Sequence, residues 1–310
     1  MATRLEEVKQ VDKVLTGCAQ GYTNDVFIGE YIFKKTLVDK ETNKFQMYGK
    51  EQFIDYGSKI IRPIGVKPQE DNWEPPELGR YECEAYSLAG TVDQREISEA
   101  APLNNLLIEG VDQKMEKIRT AKEKNRADVL SNYENYDNGH VLTPLQKWDN
   151  DTNVAIMLEF GKTAIRSKIG REPNIIVMGH KVWELAFKFN NALSAKIKYS
   201  ERDVLTTELV AQILEVDKVL VGYSQYMDPD DKTLYPMWGN MLSLCYVTKQ
   251  EGRNRPTFAR TFQKKGYPNV KKWIDDADFH RYRVEDIFDN RITGKDAGYL
   301  YREPVEIPAA

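Results

Sequence analysis

Residues able to build a core are unevenly spread along this chain of 310 residues. Residues 154–247 alternate helix-period and strand-period apolar patterns, as a folded domain does. Residues 31–97 read instead as a long projecting hairpin, with strand-like limbs at 44–54 and 80–92. Its middle, from Tyr56-Gly57 to Pro75-Pro76-Glu77-Leu78-Gly79, is punctuated by proline and glycine and has little to bury. A lone hairpin of this size is marginal in water, and a long loop without secondary structure is usually functional or disordered. The expectation is an arm that becomes ordered against other copies of the chain. That is the signature of an assembly subunit.

The totals narrow the class further. A chain that is 41% hydrophobic and 30% charged can bury a sizeable core, so wholesale disorder is not expected. The net charge of −4 argues against a dedicated nucleic-acid binder, which carries a basic excess. It does not prevent the protein from enclosing DNA without gripping it. Cys18, Cys83 and Cys245 are far apart, and no CxxC occurs, so neither a disulfide framework nor a thiolate zinc site is expected. The first residues lack the apolar stretch of a signal peptide, and no apolar run approaches the roughly 20 residues that span a bilayer. A reducing cytoplasm is the expected place of synthesis. Seventeen tyrosines and five tryptophans suit a protein with extensive contact surfaces, although ordinary core packing accounts for many of them.

Along the chain, residues 1–30 read as an arm, with a short helix near 5–15. The strongest helical pattern covers 104–136, with Leu107, Val111, Met115, Ile118, Val129, Tyr133 and Tyr136 near helical spacing. Pro102 stands just ahead of it, where a helix start tolerates proline. Between its two apolar groups lies Arg119-Thr120-Ala121-Lys122-Glu123-Lys124-Asn125-Arg126, charged nearly all round. Such a helix would be roughly 45–50 Å long, a spine lying along a sheet. The patterns then predict a helix at 153–169, a buried strand at 173–179, helices at 180–193 and after the Thr206 cap, and strands at 218–223 and 237–247. Residues 258–305 alternate like extended β structure.

No catalytic, cofactor-binding or metal-binding residues emerge. His140, His180 and His280 stand apart from one another and from carboxylates at metal spacing, and His180 reads as a helix-start residue. Gly161-Lys162-Thr163 is rejected as a phosphate loop, because Ile156 occupies the position that needs glycine. The acidic clusters Asp228-Pro229-Asp230-Asp231, Asp275-Asp276-Ala277-Asp278 and Glu285-Asp286 read as solvated turns or subunit contacts; the first fails the calcium-loop template. Basic residues occur in scattered pairs without a stripe, which argues against base-specific binding.

The order of elements resembles the major capsid proteins of tailed double-stranded DNA phages, with the Hong Kong 97-type fold. Phe45-Gln46-Met47-Tyr48-Gly49 through Arg80-Tyr81-Glu82-Cys83-Glu84-Ala85-Tyr86 looks like that family's extended loop. The stretches at 173–179, 205–222 and 237–247 resemble one branch's axial domain, and Ile292-Thr293-Gly294-Lys295-Asp296-Ala297-Gly298-Tyr299-Leu300 its final peripheral strands. The resemblance implies an α+β fold in five parts: an N-terminal arm (1–30), an extended hairpin loop with flanking strands (31–97), a peripheral domain with spine helix (98–153), an axial domain (154–257) and a return to the peripheral domain (258–310). It also implies a non-enzymatic subunit that forms pentamers and hexamers of an icosahedral shell around DNA. Shells would assemble in the host bacterial cytoplasm and persist in the virion. Further implied partners are a separate scaffolding protein, a portal and a decoration protein, with no membrane and no cofactor. Two alternatives stand beside it: an encapsulin-like nanocompartment shell, and a soluble hydrolase using carboxylates such as Asp230 or Asp276.

Overall fold

The computed structural model describes residues 10–53, 64–67, 77–99, 103–196, 205–228, 230, 232–250, 255–274 and 279–307. Strand β1 (Gln10–Val11) leads into helix α1 (Lys13–Gly21), whose start is fixed by Asp12 Oδ1 accepting from Val14 N and Leu15 N. Then come α2 (Gly29–Ile32), β2 (Phe33–Val38), β3 (Thr42–Gln46), α3 (Lys50–Phe53), β4 (Leu78–Glu82), β5 (Glu84–Asp93) and α4 (Gln94–Glu99). The long α5 (Leu103–Ser131) is followed by β6 (Gly139–Val141), α6 (Val154–Ile169), β7 (Ile175–Gly179), α7 (His180–Val182), α8 (Asn191–Ser194) and α9 (Thr207–Ile213). Strands close the chain: β8 (Lys218–Gly222), β9 (Gln225–Met227), β10 (Leu234–Pro236), β11 (Met241–Cys245), β12 (Ala259–Lys264), β13 (Asn269–Ile274), β14 (Phe279–Ile292) and β15 (Gly298–Arg302). The result is a mixed α+β fold.

Two sheets organise it. In the first, β14 is the axis: it pairs with β13 and β12 on one side and with β5, over ten residues, on the other. Strand β2 adds in parallel to β12 and ends the sheet. Because β-strand side chains alternate, β14 sends Val284, Asp286, Phe288 and Asn290 toward α5 and Ile287 to the opposite face. There Ile287 meets Val38, Tyr81, Cys83 and Phe262 in a small separate core. The other sheet runs β6-β15-β11-β7-β8. Its β7, Ile-Ile-Val-Met-Gly, is buried at every position, as the bounded apolar run predicts. Helix α6 packs on this sheet through Leu158, Ile165 and Ile169, is capped by Asn153, and stops where Gly170 takes a left-handed φ of 64°.

Several expectations need correction. The expected strand at 44–54 stops at Gln46, and Phe53 instead sits on the short α3, its ring 6.1 Å from that of Tyr246. The return limb beyond Cys83 does not project: β5 is laid into the first sheet against β14. Among the described residues the five-pair ladder β3–β4 forms the hairpin base, and most of its middle lies outside them. The arm helix is displaced to Lys13–Gly21, and Leu15 and Ala19 pack beneath α5 of the same chain. Residues 1–9 lie outside the described residues, as does Pro102. The spine helix ends at Ser131, because Asn132 caps a separate 3-10 turn at Tyr133–Asn135 by accepting from Glu134 N. The expected helix at 180–193 widens into a π-helical turn at Trp183–Phe187 and is broken at Asn190, whose extended backbone starts α8. Asn190, buried, donates to Thr152 O and Ala186 O and caps α8; Trp183, Ala186 and Phe187 are buried and Phe189 is exposed. Of the expected strand at 237–247, only Met241–Cys245 pairs in the sheet.

Candidate assembly surfaces

Helix α5 organises the surfaces that bear on function. Its first turns place Leu107, Val111, Met115 and Ile118 against Leu15, Ala19, Val270, Tyr282 and Val284. Its last turns place Ala127 and Leu130 in the larger core around the second sheet. The charged run between them continues the same inward stripe, at positions 119, 122, 123 and 126. Lys122, Glu123 and Arg126 are therefore buried, not solvated. This is what the sequence reading missed. The signal was present in the spacing, since 122 and 126 follow 115 and 118 at helical intervals.

The buried charges are matched one by one. Lys122 Nζ is 3.1 Å from Asp286 Oδ2 and 4.3 Å above the Phe288 ring. Gln263 donates to the other Asp286 oxygen. Glu123 accepts from Ile28 N and Gly29 N, both at 2.9 Å, and its Oε2 lies 3.5 Å from Arg126 Nη1. Burial lowers the Lys122 pKa to about 8, against the pull of Asp286, and raises that of the Glu123 carboxyl. The seam thus locks three pieces of sequence together: the segment before β2, the spine helix and the centre of β14. Each buried charge in it meets an opposite one, while the Nε of Arg126 is left without a hydrogen-bond partner.

Among the described residues, those weighed as catalytic candidates do not converge. His140 is exposed near Gln146, His180 sits at the β7–α7 junction, and His280 is buried beside Gln94 in the first sheet. Asp228 and Asp230 stand in the turn of the β9–β10 hairpin, where Asp228 Oδ1 accepts from Asp230 N. Asp275, Asp276 and Asp278 lie outside the described residues. Lys162, of the rejected phosphate-loop match, is buried within α6 and donates to Leu214 O. Among the described residues no group of three or more His, Cys, Asp and Glu could hold a metal ion.

The outer surface carries apolar groups instead. Ile156 and Phe160 share the outward side of α6, with Phe160 66% exposed. Met227, Leu234 and Tyr235 project from the β9–β10 hairpin, and Leu78 from the hairpin base. Exposed clusters of this kind mark contact surfaces.

The chain is 34% identical to the major capsid protein of Burkholderia phage BcepMu, over 96% of this chain and 97% of that protein. The chain belongs to the phage major capsid proteins. No protein-family model matches it. This capsid protein is also similar to the crystal structure of a phage-related protein from Bordetella bronchiseptica, with a TM-score of 0.83, 25% identity and coverage of 98% and 100% of the two chains. It shares a fold with the mature capsid protein of bacteriophage PhiM1, at a TM-score of 0.54 and 9% identity, covering 91% and 88%. The capsid-protein likeness spans both sheets and the spine helix, not one module.

Proposed function

We propose that this chain is the major shell subunit of a tailed phage, built on the Hong Kong 97-type fold, and that it assembles as pentamers and hexamers into an icosahedral capsid around double-stranded DNA. The observation that carries this reading is the 34% identity to a phage major capsid protein over 96% of the chain. It is a structural protein rather than an enzyme. In this reading residues 1–30 are the arm, 31–97 the extended loop with its flanking strands, 98–153 and 258–310 the peripheral domain, and 154–257 the axial domain. Scaffolding, portal and decoration proteins are its further partners, assembly occurs in the host bacterial cytoplasm, and the product resides in the virion.

The physical account is one of repeated weak contacts. Rings of five and six close by rotation through head-to-tail interfaces. Each contact can be weak, because many act together in a closed shell. A net charge of −4 suits a container that should not hold its DNA tightly. A nanocompartment with the same fold would differ in its lumen, holding a cargo enzyme instead of DNA. Deleting residues 56–78 tests the role of the loop: a soluble monomer or capsomer that no longer closes is expected. Normal shells from that deletion would show that the loop is dispensable.

A further inference from the structure

The dipeptide Asn138-Gly139 occurs once in the 310 residues, where the spine helix hands over to the second sheet. Asn138 immediately precedes β6, the end strand of that sheet, which runs parallel to β15. Leu300 N donates to Asn138 O at 3.4 Å, and Leu142 N donates to Arg302 O at 3.2 Å. Alternate residues of a strand face a given neighbour, so these two bonds turn His140 N toward β15 and Gly139 N toward the free edge. The backbone nitrogen of Gly139 therefore stands outside the ladder.

The fold requires glycine at this place. A Cβ on residue 139 would lie 2.8 Å from Cε2 of Tyr133 and 2.9 Å from Leu300 O, and Tyr133 donates its hydroxyl to Gly139 O at 3.0 Å. Glycine also leaves its own nitrogen unhindered and its backbone free to turn. The Asn138 side chain is held by less: its Nδ2 is buried and makes no hydrogen bond among the described residues. A buried amide nitrogen without an acceptor carries a desolvation cost that its departure would remove. The neighbouring asparagines are tied. Asn132 Oδ1 accepts from Glu134 N at 3.0 Å, and Asn135 Nδ2 donates to Val129 O at 2.8 Å. Each is followed by a tyrosine, whose Cβ crowds the backbone nitrogen.

We propose that Asn138-Gly139 is a site of spontaneous covalent modification, at which the asparagine closes on the next backbone nitrogen and is converted to aspartate and isoaspartate, with water as the co-reactant. Gly139 N gives its proton to solvent base and attacks Cγ of Asn138. The N–Cγ bond forms, the Cγ–Nδ2 bond breaks, and Nδ2 takes a proton from solvent and leaves as ammonia. Water then opens the succinimide ring, and no oxidation state changes. Attack at Cγ gives aspartate. Attack at the backbone carbonyl gives isoaspartate, whose main chain runs through Cβ and Cγ and is longer by one methylene. That insertion takes β6 out of register with β15 and loosens the join between spine helix and second sheet. The inference does not depend on the shell reading.

Peptide mass mapping of the purified full chain, aged in mildly alkaline buffer beside the same chain in urea, tests it. Arg126 and Lys147 bound a single tryptic peptide, so Asn132 and Asn135 travel with Asn138 as internal standards. The expected result is a gain of about one dalton localised to residue 138, as both aspartate and isoaspartate, with none at 132 or 135. The folded chain should convert within about tenfold of the rate in urea, because the edge strand opens locally without global unfolding. Asn138→Gln, which would have to close a six-membered ring, should stay unmodified under the same conditions. Hydrogen exchange at the Leu142 amide should be faster in the aged chain than in fresh protein or aged Asn138→Gln. No gain in the folded chain, a gain more than about tenfold slower than in urea, or equal conversion at Asn132 or Asn135 overturns the site. Unchanged protection of Leu142 in the converted chain overturns the loosening of β6.

Discussion

Lys122 and Asp286 form an ion pair at 3.1 Å across the interface between spine helix and sheet, with only 9% and 3% of their side chains exposed. Buried pairs add little net stability relative to a hydrophobic replacement, but removing one partner leaves an uncompensated charge. Asp286→Ala should therefore cost about 3–5 kcal/mol in urea unfolding. Lys122→Met combined with Asp286→Leu should recover a large part of that loss, short of all of it because Gln263 loses its acceptor. Equal stability of wild type and Asp286→Ala would contradict the account of the seam.

Two glycines predict opposite outcomes. A Cβ at Gly179, the end of β7, would lie 1.9 Å from Gly239 O and 2.0 Å from Trp238 O. Both are backbone atoms under a buried tryptophan and cannot yield cheaply, so Gly179→Ala should cost about 3 kcal/mol or more. Gly17 is interior to α1 and has nothing within 4 Å of such a Cβ. Gly17→Ala should stabilise by about 0.5–1 kcal/mol through helix propensity. Thermal melting of the two variants side by side reads the contrast.

Asn174 fastens the start of β7 to the chain beyond β11. Its Oδ1 accepts from Val247 N at 2.8 Å and its Nδ2 donates to Val247 O at 2.9 Å. Asn174→Ala leaves both backbone groups without these partners, and a loss of about 1–3 kcal/mol is expected. Hydrogen exchange at the Val247 amide should accelerate in step with that loss; unchanged protection there would show that Asn174 is not the clamp.

Alkaline pH should weaken the fold. Burial pushes the Cys83 thiol up to about 11 and the Cys245 thiol up to about 12, from an ordinary value near 9. Above pH 9 the unfolded chain releases these protons while the folded chain keeps them, so stability present below pH 9 is lost between 9 and about 12. Lys122, lowered to about 8, acts in the opposite sense between 8 and its ordinary 10.5. One lysine opposes two thiols and the buried tyrosines Tyr136 and Tyr301, whose pKa values burial also raises. The unfolding midpoint should therefore fall from pH 9 to 11, and at pH 8 Cys83 and Cys245 should resist alkylation that modifies Cys18. A midpoint that rises over that interval would reverse the assignment.

What could be read from the amino acids followed local period and local punctuation. The apolar run of β7, the Thr206 cap and the spine pattern through Leu107, Val111, Met115 and Ile118 each depend on nearby residues. Asp12 as a cap and the end of the spine at Ser131 were also local, yet stronger apolar spacing through Tyr133 and Tyr136 masked the second. Lys122, Glu123 and Arg126 were misread because their partners come from elsewhere: Asp286 is 164 residues from Lys122, and Gly29 is 94 from Glu123. A charged stripe facing matched charges looks the same in sequence as one facing water. The placement of β5 in the sheet was hidden for the same reason, since only pairing with β14 distinguishes a return limb that projects from one laid flat.

The central claim is that this chain completes its contacts with copies of itself. Sedimentation velocity of the purified protein at micromolar concentration, with electron microscopy of the same sample, tests it most directly. The account predicts rings of five or six subunits, or uniform hollow particles built from them. A single compact species of 35.8 kDa at every concentration would contradict it.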